Sequence, residues 1–159
     1  MSARKMKLVL CWHMHQPWYR ESQGGNYQLP WVYLHAIKDY VDMAASLEAN
    51  PAMRAVVNFT PVLLEQIDDY ARKLDGWLES GTSMSEPLLD LLGGVEQVPC
   101  DADDRARLLR ACTRANAHTM IDVHPVYREL LDYTQADGGA PRYELLSYLG
   151  PQYFLDLLT

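Results

Sequence analysis

The spacing of apolar and polar positions divides the chain into a strand-helix half and a helical half. Leu8–Trp12 is an apolar run, and Lys7–Trp12 reads as a short buried strand. Side chains alternate across a strand. Val9, Cys11, His13 and His15 therefore share one face, and Leu8, Leu10, Trp12 and Met14 the other. Pro17 has no N–H to give to a ladder and stops the pattern. Gln16–Pro30 is polar, contains Gly24-Gly25-Asn26, and reads as a long surface loop at the strand's carboxyl end, placed to lie over a site. Val32–Ala49 changes to a helical period, with Leu34, Ile37, Val41, Ala44 and Leu47 in one stripe, and Asn50-Pro51 ends it. Arg54–Phe59, containing Ala55, Val56 and Val57, reads as a second short buried strand. Thr60-Pro61 marks a helix start, Thr as N-cap and Pro in the first turn, and Leu63, Ile67, Tyr70, Leu74 and Leu78 make the next stripe.

Strand, helix, strand with a crossover of this length implies a parallel pair. Residues 1–79 thus read β-α-β-α, the start of an α/β barrel or a doubly wound sheet. Residues 80–159 read as mostly helical. Ser83-x-x-Glu86 has the form of a capping box before a helix ending at Gly93-Gly94. Asp101–Ile121 reads as one long helix, with Leu108, Leu109, Cys112, Ala115 and Thr119 on one side. Pro125–Thr134 is another, Gln135–Pro141 a turn, and Glu144–Leu149 and Gln152–Leu158 are short helical pieces. The apolar Tyr153–Thr159 stretch carries no stop signal, which reads as a pattern continuing into a longer protein.

Composition narrows the function classes. Hydrophobic residues make up 48% and charged residues 22%, enough for a packed core. The net charge of −7 and the lack of a Lys/Arg stripe argue against a nucleic-acid surface. No stretch is long enough to span a bilayer, and the apolar run after the basic N-terminus is too short for a signal sequence. Three widely spaced cysteines, with no Cys-x-x-Cys, fit a reduced, cytoplasmic compartment. Ten Tyr and four Trp against two Phe is a bias toward aromatics with a polar edge, which suit both sugar faces and the margins of a core.

The chemistry concentrates at His13-Met14-His15-Gln16-Pro17. Two imidazoles on one face at a strand's carboxyl end sit where α/β folds bind ligands. This stretch resembles the opening His-x-His-Gln-Pro motif of glycoside hydrolase family 57, whose members act on α-glucans. Further blocks are similar in the same order: Leu29-Pro30-Trp31-Val32 with Leu34–Tyr40, then Val57–Gln66, then Met120-Ile121-Asp122. The resemblance implies the first β-α-β-α units of an incomplete (β/α)7-type barrel over 1–79, followed by a helical insertion. It also implies a retaining mechanism, with a Glu nucleophile and an Asp acid/base on later strands, about 5 Å apart. Neither of those motifs is found in these 159 residues. Asp42, Asp68-Asp69 and Asp101/Asp103/Asp104 lie in helical or cap contexts that the helix dipole and a solvated face explain, so no catalytic residue is assigned and the chain is expected to be inactive alone.

The resemblance places the His-Gln-Pro motif at the donor subsite. The expected sugar contacts are His13, His15 and Gln16 by hydrogen bonding and Trp31 by stacking. Asn58, at the end of the second strand, serves either that mouth or the turn before Thr60. His35, Lys38 and Asp39 lie on a helix, with Lys38 and Asp42 spaced as an i, i+4 pair; His118 and His124 read as surface or cap residues. The expected partner is an α-glucan oligosaccharide or polysaccharide, with no cofactor. Two other readings stay open. One is a metal-dependent barrel hydrolase using the His-x-His spacing, which lacks a nearby third ligand. The other is a non-catalytic glucan-binding or interaction module, which would not require the His-His-Gln cluster.

Overall fold

The computed structural model describes residues 6–22, 24–136 and 138–159. The chain forms two compact units, 1–86 and 87–159.

The first unit is a mixed α/β arrangement around a parallel two-stranded sheet. Strand β1 (Cys11–Met14) pairs with β2 (Val56–Phe59), with Cys11 opposite Val56, Trp12 opposite Val57, His13 opposite Asn58 and Met14 opposite Phe59. The connection runs through the 16–30 loop and a continuous helical segment: α1 (Trp31–His35), a π-helical turn (Ala36–Tyr40) and α2 (Val41–Ala49). Helix α3 (Pro61–Ser80) follows β2 directly. It ends at Gly81, whose φ of 69° is the left-handed conformation that closes a helix, with the Gly81 N–H donating to Trp77 O.

Several expectations are corrected here. The strand expected over Lys7–Trp12 begins only at Cys11, and Leu8 is 83% exposed. The second strand is not buried either: Val56 is 55% exposed, and all four β2 residues are exposed. The helical stripe of Leu34, Ile37 and Val41 also faces solvent. The physical reason is the same in each case. Among the described residues the sheet has two strands, and no packed layer covers these faces. Burial instead gathers at the carboxyl ends of the strands, where Met14, Tyr27, Val32, Leu63, Gln66 and Tyr70 are enclosed. Thr60 has the extended backbone of an N-cap, but its hydroxyl donates to Met14 O at 3.3 Å instead of capping α3. It thereby ties the ends of β1 and β2 together.

The second unit is helical and has a closed core. It contains α4 (Pro87–Asp90), two 3-10 turns (Leu91–Gly93 and Val95–Gln97), α5 (Ala102–Cys112), a second π-helical turn (Ala117–Ile121), α6 (Pro125–Thr134), α7 (Tyr143–Leu146) and α8 (Pro151–Asp156). Leu109, Leu131, Leu146 and Phe154 are fully enclosed, with Val98, Ala106, Leu108, Ile121 and Leu157 around them. Arg105 is buried with them. It donates to the carbonyls of Pro99, Leu146 and Leu149 and lies over the Phe154 ring at 4.9 Å. Its planar guanidinium satisfies three backbone acceptors, one at the last residue of α7 and two in the connections before α5 and after α7.

Helix α4 starts at Pro87, directly after the Ser83–Glu86 stretch, and Ser83 Oγ accepts from the Ser85 N–H. The single helix expected over Asp101–Ile121 is also broken. Asp101 caps its start by accepting from Asp104 N, but Thr113 ends it, and Asn116 caps a separate turn by accepting from Thr119 N. A short polar side chain bonding to nearby backbone competes with helix continuation there. Helix α6 has the expected bounds. In the expected 135–141 turn, Gln135 bridges Pro141; Asp137 lies outside the described residues.

Candidate functional site

The strand ends, the first residues of the loop and the π-helical turn meet in one place. Parallel pairing sets His13 beside Asn58, and His13 Nδ1 donates to Asn58 Oδ1 at 2.7 Å. Asn58 therefore serves its neighbour strand and not the turn before Thr60. The bond uses the Nδ1 proton, so the neutral His13 ring presents Nε2 as an acceptor. His15, two residues along the same face, lies nearly parallel to His13, with ring centroids 6.0 Å apart and 13° between planes. Both rings are exposed to solvent, as a ligand-facing pair requires.

Gln16 is part-buried. Its Oε1 accepts from the Tyr19 hydroxyl at 3.0 Å, and its Nε2 donates to the Tyr40 hydroxyl at 3.4 Å. Burial, and then the adjacent Tyr40, push the Tyr19 phenol above its ordinary range, which keeps it protonated as a donor. Trp31 is half-buried at the first position of α1. Among the described residues, no ring stacking joins it to the histidines.

The 16–30 loop is pinned at its root. Gln66 on α3 is 0% exposed; its Oε1 accepts from Tyr19 N at 3.0 Å and its Nε2 donates to Pro17 O at 2.9 Å. The two arms then form a narrow antiparallel ladder, Gln28 N to Tyr19 O and Glu21 N to Asn26 O, bridged at Arg20 and Tyr27. Tyr27 stacks on Tyr70 at 4.1 Å and donates to Asp69, which also pairs with Arg20 at 3.2 Å. Burial, then the bond to Asp69, holds the Tyr27 phenol well above its ordinary range. Sequence reasoning missed Gln66, Tyr19 and Tyr40. For Gln66 a signal was present: a polar residue at i+3 from Leu63 and i−4 from Tyr70, on the face that α3 buries.

The remaining residues fall as follows. Lys38 pairs with Asp42 at 3.0 Å, the expected i, i+4 contact, and His35 pairs with Asp39. His118 and His124 are exposed, the latter at the N-terminus of α6. The second unit carries a cavity of about 620 Å³ lined by Thr113, Ile121, Arg128, Asp132, Gln135 and Arg142 among others, and none of the sequence-predicted site residues. No group of three or more His, Cys, Asp or Glu able to hold a metal occurs among the described residues.

The strand-end cluster lies inside a longer match. The family model for glycosyl hydrolase family 57 matches residues 9–138. The chain belongs to that family. Carbohydrate is accordingly the substrate class and glycoside hydrolysis the chemistry associated with family 57. No curated protein and no solved structure matches significantly. No helix among the described residues is long and apolar enough to cross a membrane.

Proposed function

We propose that this family 57 chain supplies donor-side sugar contacts to a retaining α-glucan hydrolase or transglycosidase, built on a (β/α)7-type barrel. His13, His15 and Gln16 bind glucose hydroxyls, Asn58 orients His13, and Trp31 offers a stacking face. The nucleophilic Glu and the acid/base Asp belong to other strands of that barrel, so residues 1–159 bind glucan without cleaving it. The observation that carries the reading is the convergence of His13, His15, Asn58 and Gln16 at the carboxyl ends of a parallel strand pair. His13 offers an acceptor, and the Gln16 amide offers both a donor and an acceptor, the mixture that hydroxyl groups match.

The test is a maltoheptaose titration of the 159-residue chain followed by the imidazole resonances of His13 and His15, with a starch reducing-sugar assay beside it. Saturable shifts at both rings and no sugar release are expected. Unmoved imidazoles at millimolar maltoheptaose would sink the binding role, and sugar release would refute the inactivity.

A further inference from the structure

The Gln16 amide is held at both ends by phenol hydroxyls. A primary amide has two N–H donors and two acceptor lone pairs. Tyr19 and Tyr40 take one of each, so one N–H and one lone pair remain, in a plane that the two tyrosines set. Left to itself, a glutamine side chain samples many rotamers, and fixing it for a ligand costs entropy at the moment of binding.

The position of Tyr40 depends on a local departure from α-helical geometry. In an α-helix, residues 35 and 40 would point about 140° apart around the axis. The π-helical turn at Ala36–Tyr40 takes more residues per turn and brings positions five apart into line. His35 accordingly stacks on Tyr40, with centroids 6.2 Å apart and 23° between planes, and its Nδ1 bonds to the Asp39 carboxylate. Single π turns interrupting α-helices recur at functional sites. Here the turn places a phenol against Gln16, the motif residue that carries a side-chain amide.

We propose that Tyr19 and Tyr40, the latter set by the π turn and braced by His35, are positioning residues that fix the Gln16 amide to read a vicinal diol of a pyranose. One hydroxyl of the diol accepts from Nε2 and its neighbour donates to Oε1. The diol assignment rests on the reading of Gln16 as a sugar contact; the positioning role does not.

The experiment has two arms on the full 159-residue chain. The first uses no sugar: ¹⁵N relaxation of the Gln16 side-chain amide. A restrained amide is expected in the native chain and a freely mobile one in Tyr19→Phe/Tyr40→Phe, with the backbone fingerprint elsewhere unchanged. An amide that stays restrained in the double variant overturns the positioning role. If the double variant does not fold, the single Phe variants, each losing one grip, carry the same readout.

The second arm titrates maltoheptaose. Tyr40→Phe should weaken binding about fivefold, the size of one net hydrogen bond, and should have no further effect in a Gln16→Ala background. Equal weakening in both backgrounds shows that Tyr40 acts independently of Gln16 and overturns the proposal. Absence of binding by the native chain overturns the donor-side reading and the diol assignment with it, while the relaxation arm still decides the positioning role.

Discussion

In the second unit Leu109, Leu131, Leu146 and Phe154 are fully enclosed, while in the first unit Val56, Val57 and Phe59 stand in solvent. Both sets follow from apolar patterns that look alike along the chain. The helices of the second unit present their apolar stripes to one another. The two strands of the first unit present theirs to nothing among the described residues. A pattern states which face gains from burial, and burial itself needs a second surface. The first unit is nevertheless well tied in one place. Around the strand ends and the root of the 16–30 loop, Gln66, Tyr27 and Thr60 fix the backbone that carries His13, His15 and Gln16. The candidate site is the hydrogen-bonded end of an otherwise open sheet.

That contrast can be broken most directly in the helical core. Phe154→Ala should cost about 3–5 kcal/mol and abolish slow amide exchange in α5, α6 and α8. Retained protection there would show that the core of the second unit is less dependent on this ring than its complete burial implies.

The matching cut in the first unit is Gln66→Leu. It removes the partners of Tyr19 N and Pro17 O while keeping the side chain's bulk, and should cost about 1–3 kcal/mol. Exchange of the Tyr19 amide should quicken, with the second unit's protection unchanged. An unaltered Tyr19 amide would mean that the loop root is held by its ladder alone.

Alkaline pH should weaken both units, since burial also raises the Tyr27 and Tyr70 phenols of the first; the second adds a thiol. Burial pushes the Cys112 thiol from 9.0 up to about 12 and the Tyr127 phenol from 10.0 up to about 12. Above the ordinary values the unfolded chain releases protons that the folded one retains. Stability therefore falls as pH rises from about 9 toward 12, with a slope approaching ~1.4 kcal/mol per pH unit for each group. Urea midpoints followed by helical circular dichroism between pH 8 and 11 measure the slope. A flat profile would mean that neither group is shielded from water.

The smallest effect belongs to the open sheet. Val56→Thr keeps the branched shape, and at a solvent-facing position it should change stability by less than about 0.5 kcal/mol. A loss of 1–2 kcal/mol, read from denaturant midpoints, would show that the β2 face is covered in solution and would erase the contrast between the units.

Much of the architecture was legible in order and type. The parallel pairing of β1 with β2, the helix opened by Thr60-Pro61, helix α6 and the alternation that puts His13 and His15 on one face all follow from residue spacing. These are local properties, set by two-residue and 3.6-residue periods and by the lack of a proline N–H. The motif at His13–Pro17 likewise marked the candidate site, because a strand's carboxyl end is determined by where its pattern stops. The break at Thr113–Asn116 was hidden, because Asn116 reads as a tolerable helix residue until its side chain finds Thr119 N. The π turn was hidden as well, since Leu34, Ile37, Val41, Ala44 and Leu47 keep an unbroken three-and-four spacing across it.

What tertiary structure alone decided is partnership. The sequence by itself determined that His13 would face the same way as His15, by strand alternation. Only the pairing of β1 with β2 brought Asn58 to His13 and assigned the ring's proton to Nδ1. The sequence likewise placed Gln16 next to a strand end, but Tyr40 reaches it from 24 residues away through the helical crossover. Local periodicity fixes directions along a single element. Hydrogen-bond partners and buried faces depend on which other element arrives opposite, and that is settled when the chain closes on itself.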